Sequence, residues 1–239
     1  MNVYEYITAK QTSGEKMFVV LIDPDKFSVG TMNKLMRLFE VRKPDFIFVG
    51  GSLVVESVDD VVREVKLRCD IPVVLFPGSS QQFADSADAL LLLSLISGRN
   101  AEYLIGQHVV SSVRIKRSGV EVIPTGYMLI DGGATTSVEY ISGTRPLPRT
   151  KIDIAVATAL AGELLGLKML YLEAGSGAKD SVPEEMISAV RKAVSLPLIV
   201  GGGLRSEESI KKAFDAGADM VVVGTAIEEK LKGETGREE

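Results

Sequence analysis

Glycines cluster where two apolar segments end near the C-terminus of the chain. In IVGGGLRS (199–206) three glycines follow the apolar run, and in VVVGTA (221–226) glycine and threonine follow it. Glycine allows positive φ and lets a ligand approach the main chain closely. The third glycine of GGGLRS is out of place for a GxGxxG dinucleotide fingerprint. Two interpretations stay open. The glycines either form a tight turn without a ligand, or they bind a phosphate compound other than a dinucleotide.

Carboxylates end two other apolar segments. LIDPDK (21–26) places Asp23 and Asp25 on either side of Pro24, and YLEAGSGA (171–178) places Glu173 before a glycine-rich loop. Two oxygen ligands close together suit Mg²⁺, although an Asp-Pro-Asp turn can also do no more than cap a helix. Buried carboxylates are rare unless they are paired. Glu173 is therefore expected either to pair with a cation or to contact a substrate.

Secondary-structure elements must position these residues, and eight apolar runs are candidate β-strands. Nearly continuous apolar runs are typical of parallel strands that are covered on both faces. The predicted strands are 17–23, 45–51, 72–78, 87–94, 120–126, 168–175, 196–202 and 218–224.

Helical periodicity separates most of these strands. It predicts helices over 30–41, 58–67, 153–165, 183–194 and 206–216, with Ser206 as an N-cap of the last. Eight strands alternating with helices favour a single-domain (β/α)₈ TIM barrel over residues 1–239, with a doubly wound open sheet as the alternative.

A barrel would bring the functional residues to one rim. The loops after strands 7 and 8 typically bind phosphate, so we expect the backbone amides of Gly202, Gly203, Gly224 and Thr225 to converge there, with Ser176 and Gly177 beside them. Asp23 would lie on the other side, where the hydroxyl of Ser52 is a further candidate ligand. A metal facing a monophosphate suggests a reaction between two phosphorylated substrates.

Composition excludes several classes of protein. A net charge of −5 argues against a general nucleic-acid binder, and one cysteine in 239 residues excludes an internal disulfide framework and fits a reducing cytoplasm. No signal pattern begins the chain, and its longest apolar run is far shorter than the ~20 residues that cross a bilayer. We expect a cytoplasmic protein without a transmembrane segment, and contact with a membrane surface stays open.

The motifs resemble those of the geranylgeranylglyceryl phosphate synthases, prenyltransferases of archaeal lipid synthesis with bacterial relatives. They occur in order over nearly the whole chain: LIDPDK (21–26), FVGGS (48–52), LFPGS (75–79), LLSLISGRN (92–100), PTGYMLIDGG (124–133), YLEAGSGA (171–178), GGGLRS (201–206) and VVGTA (222–226). One branch of the family has a lysine two residues before the aspartate. Leu21 stands there in this chain, so no lysine role is carried over.

The resemblance implies an Mg²⁺-dependent enzyme that joins sn-glycerol 1-phosphate to geranylgeranyl diphosphate through an ether bond, in phospholipid biosynthesis. It implies that Asp23 and Ser52 hold the metal, with Asp23 and Glu173 as catalytic residues, and it implies a homo-oligomer. The glycerol phosphate would be held by Tyr171, Leu172, Glu173, Ala174, Gly175, Ser176, Gly177, Gly202, Gly203, Gly224 and Thr225.

Glu173 is expected to take a proton from the attacking hydroxyl, and Tyr171 to hydrogen-bond the glycerol or only to pack. Phe76, Leu104, Tyr127 and Tyr140 are candidates for the prenyl groove, Arg99 and Asn100 are candidates for contact with diphosphate, and His108 is expected to be structural. Two other readings remain: a phosphosugar isomerase or aldolase barrel, and a non-catalytic barrel that binds a phosphorylated ligand. Lys26 is the nearest candidate for a Schiff-base lysine at a strand end, and it already lies past its strand.

Overall fold

The fold is a closed barrel of eight parallel strands. In the computed structural model, which describes residues 2–224, the strands follow one another around the barrel in chain order, and the last pairs with the first. The closed barrel confirms the predicted class and rules out the open sheet. The strands are β1 (Met17–Ile22), β2 (Phe46–Val49), β3 (Val73–Leu75), β4 (Ala89–Leu95), β5 (Glu121–Leu129), β6 (Met169–Glu173), β7 (Leu198–Gly201) and β8 (Met220–Val223).

All eight strands lie within or overlap the predicted segments, and five of them, β2, β3, β6, β7 and β8, are buried along their whole length. The helices around them are α1 (Val3–Ser13), α2 (Val29–Val41), α3 (Val58–Arg68), α4 (Gln107–Ser118), α5 (Ser137–Ser142), α6 (Ile152–Leu164), α7 (Glu184–Ala193) and α8 (Glu207–Asp215). Ser206 caps α8 as predicted, since its side chain accepts a hydrogen bond from the Ser209 amide. A π-helical segment, Glu102–Gly106, leads directly into α4.

Helix α1 was not predicted from the sequence. Its N-terminal amides, from Val3 and Tyr4, donate to the carboxylate of Glu121 at the start of β5. Val3 and Ile7 are buried with Met17 and Met220 in the barrel core, so α1 packs at the end of the barrel where the strands begin. The opposite end, where the strands finish, is left for the functional site.

The barrel wall has an opening between β3 and β4. The two strands pair only through Val74 with Ala89 and Leu75 with Leu90, whereas β4 pairs with β5 along its whole length. Residues 76–88, all of them described, contain no helix that could cover this side. Residues 92–94 of β4 are partly exposed as a result, although β4 is a strand of a parallel barrel. The interior of the barrel therefore communicates here with the layer beneath α4.

The described residues include no helix that is both long enough and apolar enough to cross a bilayer.

Candidate active site

A polar cavity opens at the rim formed by the C-terminal ends of the strands. The volume of this cavity is about 260 Å³. Nearly all of the residues singled out from the sequence line it: Asp23, Ser52, Tyr171, Glu173, Gly175, Ser176, Gly177, Gly202, Gly203 and Gly224. The fold thus brings residues from the ends of five strands into one cavity. In the chain these residues extend from Asp23 to Gly224.

Three of the predicted residues differ from this pattern. Leu172 and Ala174 are fully buried, and both belong to the core between the barrel and the helices rather than to the cavity lining. Thr225 lies outside the described residues. The side chains of Leu172 and Ala174 hold β6 in place, so any part that they have in binding rests on their backbone.

The loops after β6 and β7 form one side of the cavity. Gly202 and Gly203 have φ values of 78° and 69°, in the left-handed region that favours glycine. A Cβ on Gly203 would lie 2.8 Å from the Ser181 nitrogen, so the two loops pack backbone against backbone. Within the described chain the amides of Ser176, Gly177 and Gly203 donate no hydrogen bond. Amides that face a cavity without a partner suit a phosphate ligand.

Two arginines bind the loop after β6 to neighbouring loops. Arg205 Nη2 donates to the Ala178 carbonyl oxygen at 2.9 Å, and Arg205 also lines the cavity. Arg149 Nη1 donates to the carbonyl oxygens of Asp131 and Ser181, each at 2.9 Å. Sequence reasoning assigned no role to either arginine. The only signal for Arg205 was its place two residues after the three glycines.

Glu173 lies at the bottom of the cavity and is buried. Its Oε1 accepts a hydrogen bond of 2.7 Å from the Gly175 amide. Burial raises the pKa of Glu173 from its ordinary value of 4.5 to about 7, and the nearby Tyr171 hydroxyl and Gly175 amide offset part of that rise. Among residues 2–224 no cation forms an ion pair with Glu173, so of its two expected roles contact with a substrate stays a prediction. A carboxylate that titrates near neutral pH can take up a proton during a reaction.

The hydroxyl of Tyr171 is buried beside Glu173. A Cβ on Gly201 would collide with the hydroxyl and lie 2.8 Å from Glu173 Oε2, so Gly201 leaves room for both groups. No hydrogen bond of good geometry reaches the Tyr171 hydroxyl in the described chain. Burial raises the pKa of Tyr171, so the group remains a neutral donor. A buried donor without a partner, facing a cavity, is suited to a ligand's oxygen.

Asp23 and Ser52 lie at the ends of β1 and β2 and line the same cavity as Tyr171 and Glu173. Asp23 Oδ2 lies 3.2 Å from Lys26 Nζ, and Lys26 also lines the cavity. The Asp23 carboxylate is thus already next to a positive charge, and a diphosphate placed here would meet Lys26 as well. In residues 2–224 no three His, Cys, Asp or Glu side chains gather to form a protein-only metal cage.

The pair of aspartates does not act as one ligand set. Asp25 Oδ1 accepts hydrogen bonds from the amides of Val55 and Glu56, both at 2.9 Å. Asp25 therefore holds the loop after β2 against the loop after β1. That use could not be read from the spacing of the two aspartates, because the partner amides lie 30 residues away along the chain.

An apolar channel adjoins the polar cavity. Both are lined by Gly51, Ser52, Phe76, Tyr127 and Val138, so they meet at these residues. The rings of Phe76, Tyr127 and Tyr171 lie 5.2–6.1 Å apart, centre to centre, and form the shared wall. From there the channel passes the opening between β3 and β4, and its lining continues with Leu90, Leu92, Leu93 and Ile115.

Two of the four residues expected in a prenyl groove line this channel. Phe76 and Tyr127 line the channel, whereas Leu104 lines a separate surface depression and Tyr140 is 81% exposed. The polar pair that follows β4 has structural partners. Arg99 donates to the Gly98 carbonyl oxygen, and the Asn100 side chain donates to the Ser142 carbonyl oxygen.

The fold and the cavity together define a class: a (β/α)₈ barrel whose rim joins a polar, glycine-lined cavity to an apolar channel. The chain belongs to the PcrB family, whose sequence profile matches residues 10–237.

Named relatives agree with this membership. The chain is 53% identical over 230 residues to a geranylgeranylglyceryl phosphate synthase of Chitinophaga pinensis, covering 96% of this chain and 91% of the relative. It is 44% identical over 229 residues to one of Thermococcus gammatolerans, covering 95% and 90%. A crystal structure of (S)-3-O-geranylgeranylglyceryl phosphate synthase from Thermoplasma acidophilum, in complex with its substrate sn-glycerol-1-phosphate, superposes with a TM-score of 0.90. That structure is 34% identical, and the match covers 95% of this chain and 92% of the other.

Proposed function

We propose that this protein is a prenyltransferase that joins sn-glycerol 1-phosphate to geranylgeranyl diphosphate and forms an ether bond. The observation that carries this proposal is the junction at Phe76 and Tyr127, where a polar cavity with unpaired amides meets an apolar channel. One cavity fits a small phosphate and the other fits a hydrocarbon tail. The names of the relatives and the substrate in the Thermoplasma acidophilum crystal support the same assignment.

In this proposal the glycerol phosphate lies on the side of the loops after β6 and β7. Its phosphate accepts hydrogen bonds from the amides of Ser176, Gly177 and Gly203, and its glycerol unit reaches toward Tyr171 and Glu173. The Tyr171 hydroxyl donates to a glycerol oxygen, which gives that buried donor a partner. Arg205 holds the two loops together and adds a positive charge beside the phosphate.

The residues on the other side fit Mg²⁺. Mg²⁺ is usually bound through one or two carboxylates and completes its coordination with water and substrate phosphate oxygens. Asp23 supplies a carboxylate and Ser52 a hydroxyl, and both line the cavity. When bound, Mg²⁺ would neutralise the charge that develops on the departing diphosphate. Lys26, next to Asp23, supplies a further positive charge for the same group.

The chemistry is a substitution at the first carbon of the allylic chain. The 3-hydroxyl oxygen of the glycerol forms a bond to that carbon, the bond from the carbon to the diphosphate oxygen breaks, and the hydroxyl proton passes to Glu173. Glu173 is suited to this because its pKa of about 7 leaves it substantially ionised at neutral pH. Phe76 and Tyr127 exclude water from the reacting carbon.

The alternatives have weaker support. An isomerase or aldolase of phosphosugars usually needs a Schiff-base lysine or an acid–base pair. Lys26 is paired with Asp23, and a phosphosugar would leave the apolar channel without a use. A barrel that only binds phosphate would have no need for Glu173 and Asp23 at one cavity. We further propose that the protein is cytoplasmic, since its single cysteine fits a reducing compartment, and, from the resemblance alone, that it forms a homo-oligomer.

The test is to incubate the purified protein with sn-glycerol 1-phosphate and radiolabelled geranylgeranyl diphosphate, with Mg²⁺ or with EDTA, and to extract the lipid product. A labelled ether phosphate formed only with Mg²⁺ is the expected result. Turnover that persists in EDTA would contradict the metal assignment. A folded protein that forms no product from donors of any length, but still binds glycerol phosphate, would favour the non-catalytic reading.

A further inference from the structure

The loop after β3 contains a buried polar side chain that the proposed reaction does not use. Gln82 is 5% exposed, although it lies in the segment 76–88, which contains no helix. The neighbouring LFPGS motif (75–79) has no part in the chemistry described above. Burying an amide costs free energy unless its polar atoms are hydrogen-bonded, so the partners of Gln82 indicate what it does.

Within residues 2–224 these partners are backbone groups at the ends of two strands. Gln82 Oε1 accepts hydrogen bonds from the amides of Gly51, at 3.3 Å, and Gly78, at 3.1 Å. Gln82 Nε2 donates to the Gly51 carbonyl oxygen at 2.8 Å. The side chain thus pairs with both polar groups of Gly51, as a neighbouring strand would, and joins the end of β2 to the end of β3. Only a side chain that both donates and accepts can serve all three groups.

Glycine lets these two strand ends touch. A Cβ on Gly78 would collide with the Gly51 carbonyl oxygen and lie 2.9 Å from Ser52 Cα. The backbone at Gly78 therefore lies directly against Gly51 and Ser52, and the hydrogen bonds of Gln82 hold this contact together. The loop after β3 in this way fixes the backbone that carries Ser52.

Ser52 depends on that backbone for its position. It lines the polar cavity, and no hydrogen bond within the described chain holds its hydroxyl. Gly51 also lies beside the other proposed metal ligand, since a Cβ on Gly51 would be 3.6 Å from Asp23 Oδ1. Gln82 itself lines the apolar channel and not the polar cavity. It can therefore act on the polar cavity only through the backbone that it holds.

We propose that Gln82 is a positioning residue for the diphosphate of the prenyl donor. By holding Gly51 and Ser52 against Gly78, it sets where the Ser52 hydroxyl stands relative to Asp23, and hence how well these two residues hold Mg²⁺ against the diphosphate. This inference rests on the proposed prenyltransferase function. Loss of the Gln82 amide should therefore affect the diphosphate end of the donor and leave glycerol phosphate unaffected.

The test uses Gln82→Met and Gln82→Ala, with Gln81→Ala as the matched control. Methionine fills much of the space of glutamine in the channel but lacks the amide, whereas alanine removes the volume as well. Gln81 is exposed and lines neither the channel nor the polar cavity. Calorimetry measures the binding of an unreactive geranylgeranyl thiolo-diphosphate, with Mg²⁺ or with EDTA, and separately the binding of sn-glycerol 1-phosphate.

Gln82→Met should weaken binding of the thiolo-diphosphate in Mg²⁺ by about tenfold or more, because a small misplacement of binding groups can cost up to about 100-fold. Its binding in EDTA should change by less than about threefold, since the volume beside the tail is nearly kept. The affinity for glycerol phosphate should also stay within about threefold, because those contacts come from distant loops. Gln82→Ala should show at least the same loss in Mg²⁺, and Gln81→Ala should show none.

A double-mutant cycle with Ser52→Ala tests the route of the effect. If Gln82 acts through Ser52, Gln82→Met should add less than about threefold to the loss of affinity in Mg²⁺ that Ser52→Ala causes alone. Two independent contributions would multiply instead. A full further loss of tenfold or more in the double variant would therefore contradict the proposed route.

Two other outcomes would overturn the inference. One is an equal loss of affinity for both ligands in Gln82→Met, which would mean that the glutamine only supports the fold. The other is full affinity in Gln82→Met with a loss in Gln82→Ala, which would mean that the side chain packs against the tail. If no ether forms but binding in Mg²⁺ changes as expected, the proposed reaction is wrong and the positioning role stands. If Gln82→Met does not fold, Gln82→Asn, whose amide is one methylene too short for its partners, decides by the same comparison.

Discussion

Glu173 is the residue of the cavity that we propose as general base. It is buried, its carboxylate accepts a hydrogen bond from the Gly175 amide, and no cation within residues 2–224 forms an ion pair with it. A positioned general base contributes about 10²–10⁴-fold to turnover. We therefore expect Glu173→Gln to lower kcat by about that factor and to leave the affinity for glycerol phosphate nearly unchanged, because the proposed phosphate contacts are backbone amides and not the Glu173 carboxylate. Steady-state kinetics and calorimetry measure the two effects. A decrease in kcat of less than about threefold would contradict the role of base.

The raised pKa of Glu173 also predicts how stability depends on pH. Burial favours the protonated carboxyl in the folded protein, so the folded state binds a proton that the unfolded chain releases as pH rises from 4.5 to about 7. The folded state is therefore destabilised across this interval, by up to about 3 kcal/mol. Glutamine carries no charge and avoids that cost. Glu173→Gln should be more stable than the wild-type protein at pH 8.5 and close to it at pH 4.5, as urea denaturation at the two pH values would show. A difference that is the same at both would contradict the pKa shift.

At the scale of loops and strands, the phosphate side depends on the contact between the loops after β6 and β7. Gly203→Ala should weaken glycerol phosphate binding by about tenfold or more, since a small misplacement of binding groups can cost up to about 100-fold. The added Cβ would push the loop away from Ser181, and φ of 69° is unfavourable for alanine.

Gly166→Ala is the matched control for this loop. Gly166 has a φ of 83°, but a Cβ there meets no atom within 4 Å, and the residue lies outside the cavity. Both substitutions strain the backbone by about 1–2 kcal/mol, and only Gly203→Ala disturbs the loop contact. Equal losses of binding in the two variants, measured by calorimetry with glycerol phosphate, would mean that the loop contact is not what organises the site.

The elements also show how far the sequence could predict this protein. The apolar runs predicted all eight strands, because a strand that is covered on both faces is almost continuously apolar. The glycine-rich strand ends predicted the side of the cavity that we assign to phosphate. Helix α1 and the use of Asp25 escaped prediction, because their partners, Glu121 and the amides of Val55 and Glu56, are distant in the chain. An apolar groove was expected, with Phe76 and Tyr127 among its residues, but the path of the channel was not predicted. It arises where β3 ends early and no helix covers residues 76–88, and a gap leaves no pattern of residue types.

At the scale of the whole molecule, the two sides of the cavity should respond to ligands independently. In the proposed function glycerol phosphate contacts the loops after β6 and β7, whereas the diphosphate contacts Asp23 and Lys26 with Mg²⁺. A ligand at 100 times its Kd stabilises the folded state by about 2.7 kcal/mol. For a chain of this size that corresponds to a rise in Tm of roughly 5–10 °C. Glycerol phosphate should raise Tm with EDTA present, and an unreactive prenyl thiolo-diphosphate should do so fully only with Mg²⁺.

Substitutions should separate the two responses. Asp23→Asn should remove the Mg²⁺-dependent rise in Tm and keep the response to glycerol phosphate, because the carboxylate serves only the diphosphate side. Gly203→Ala should do the reverse. Loss of both responses in either variant would mean that the two ligands share contacts, and Asp23 and the glycine loops could then no longer be assigned to separate substrates. Independent responses would instead agree with one rim that holds two phosphorylated substrates facing each other, with Tyr171 and Glu173 between them.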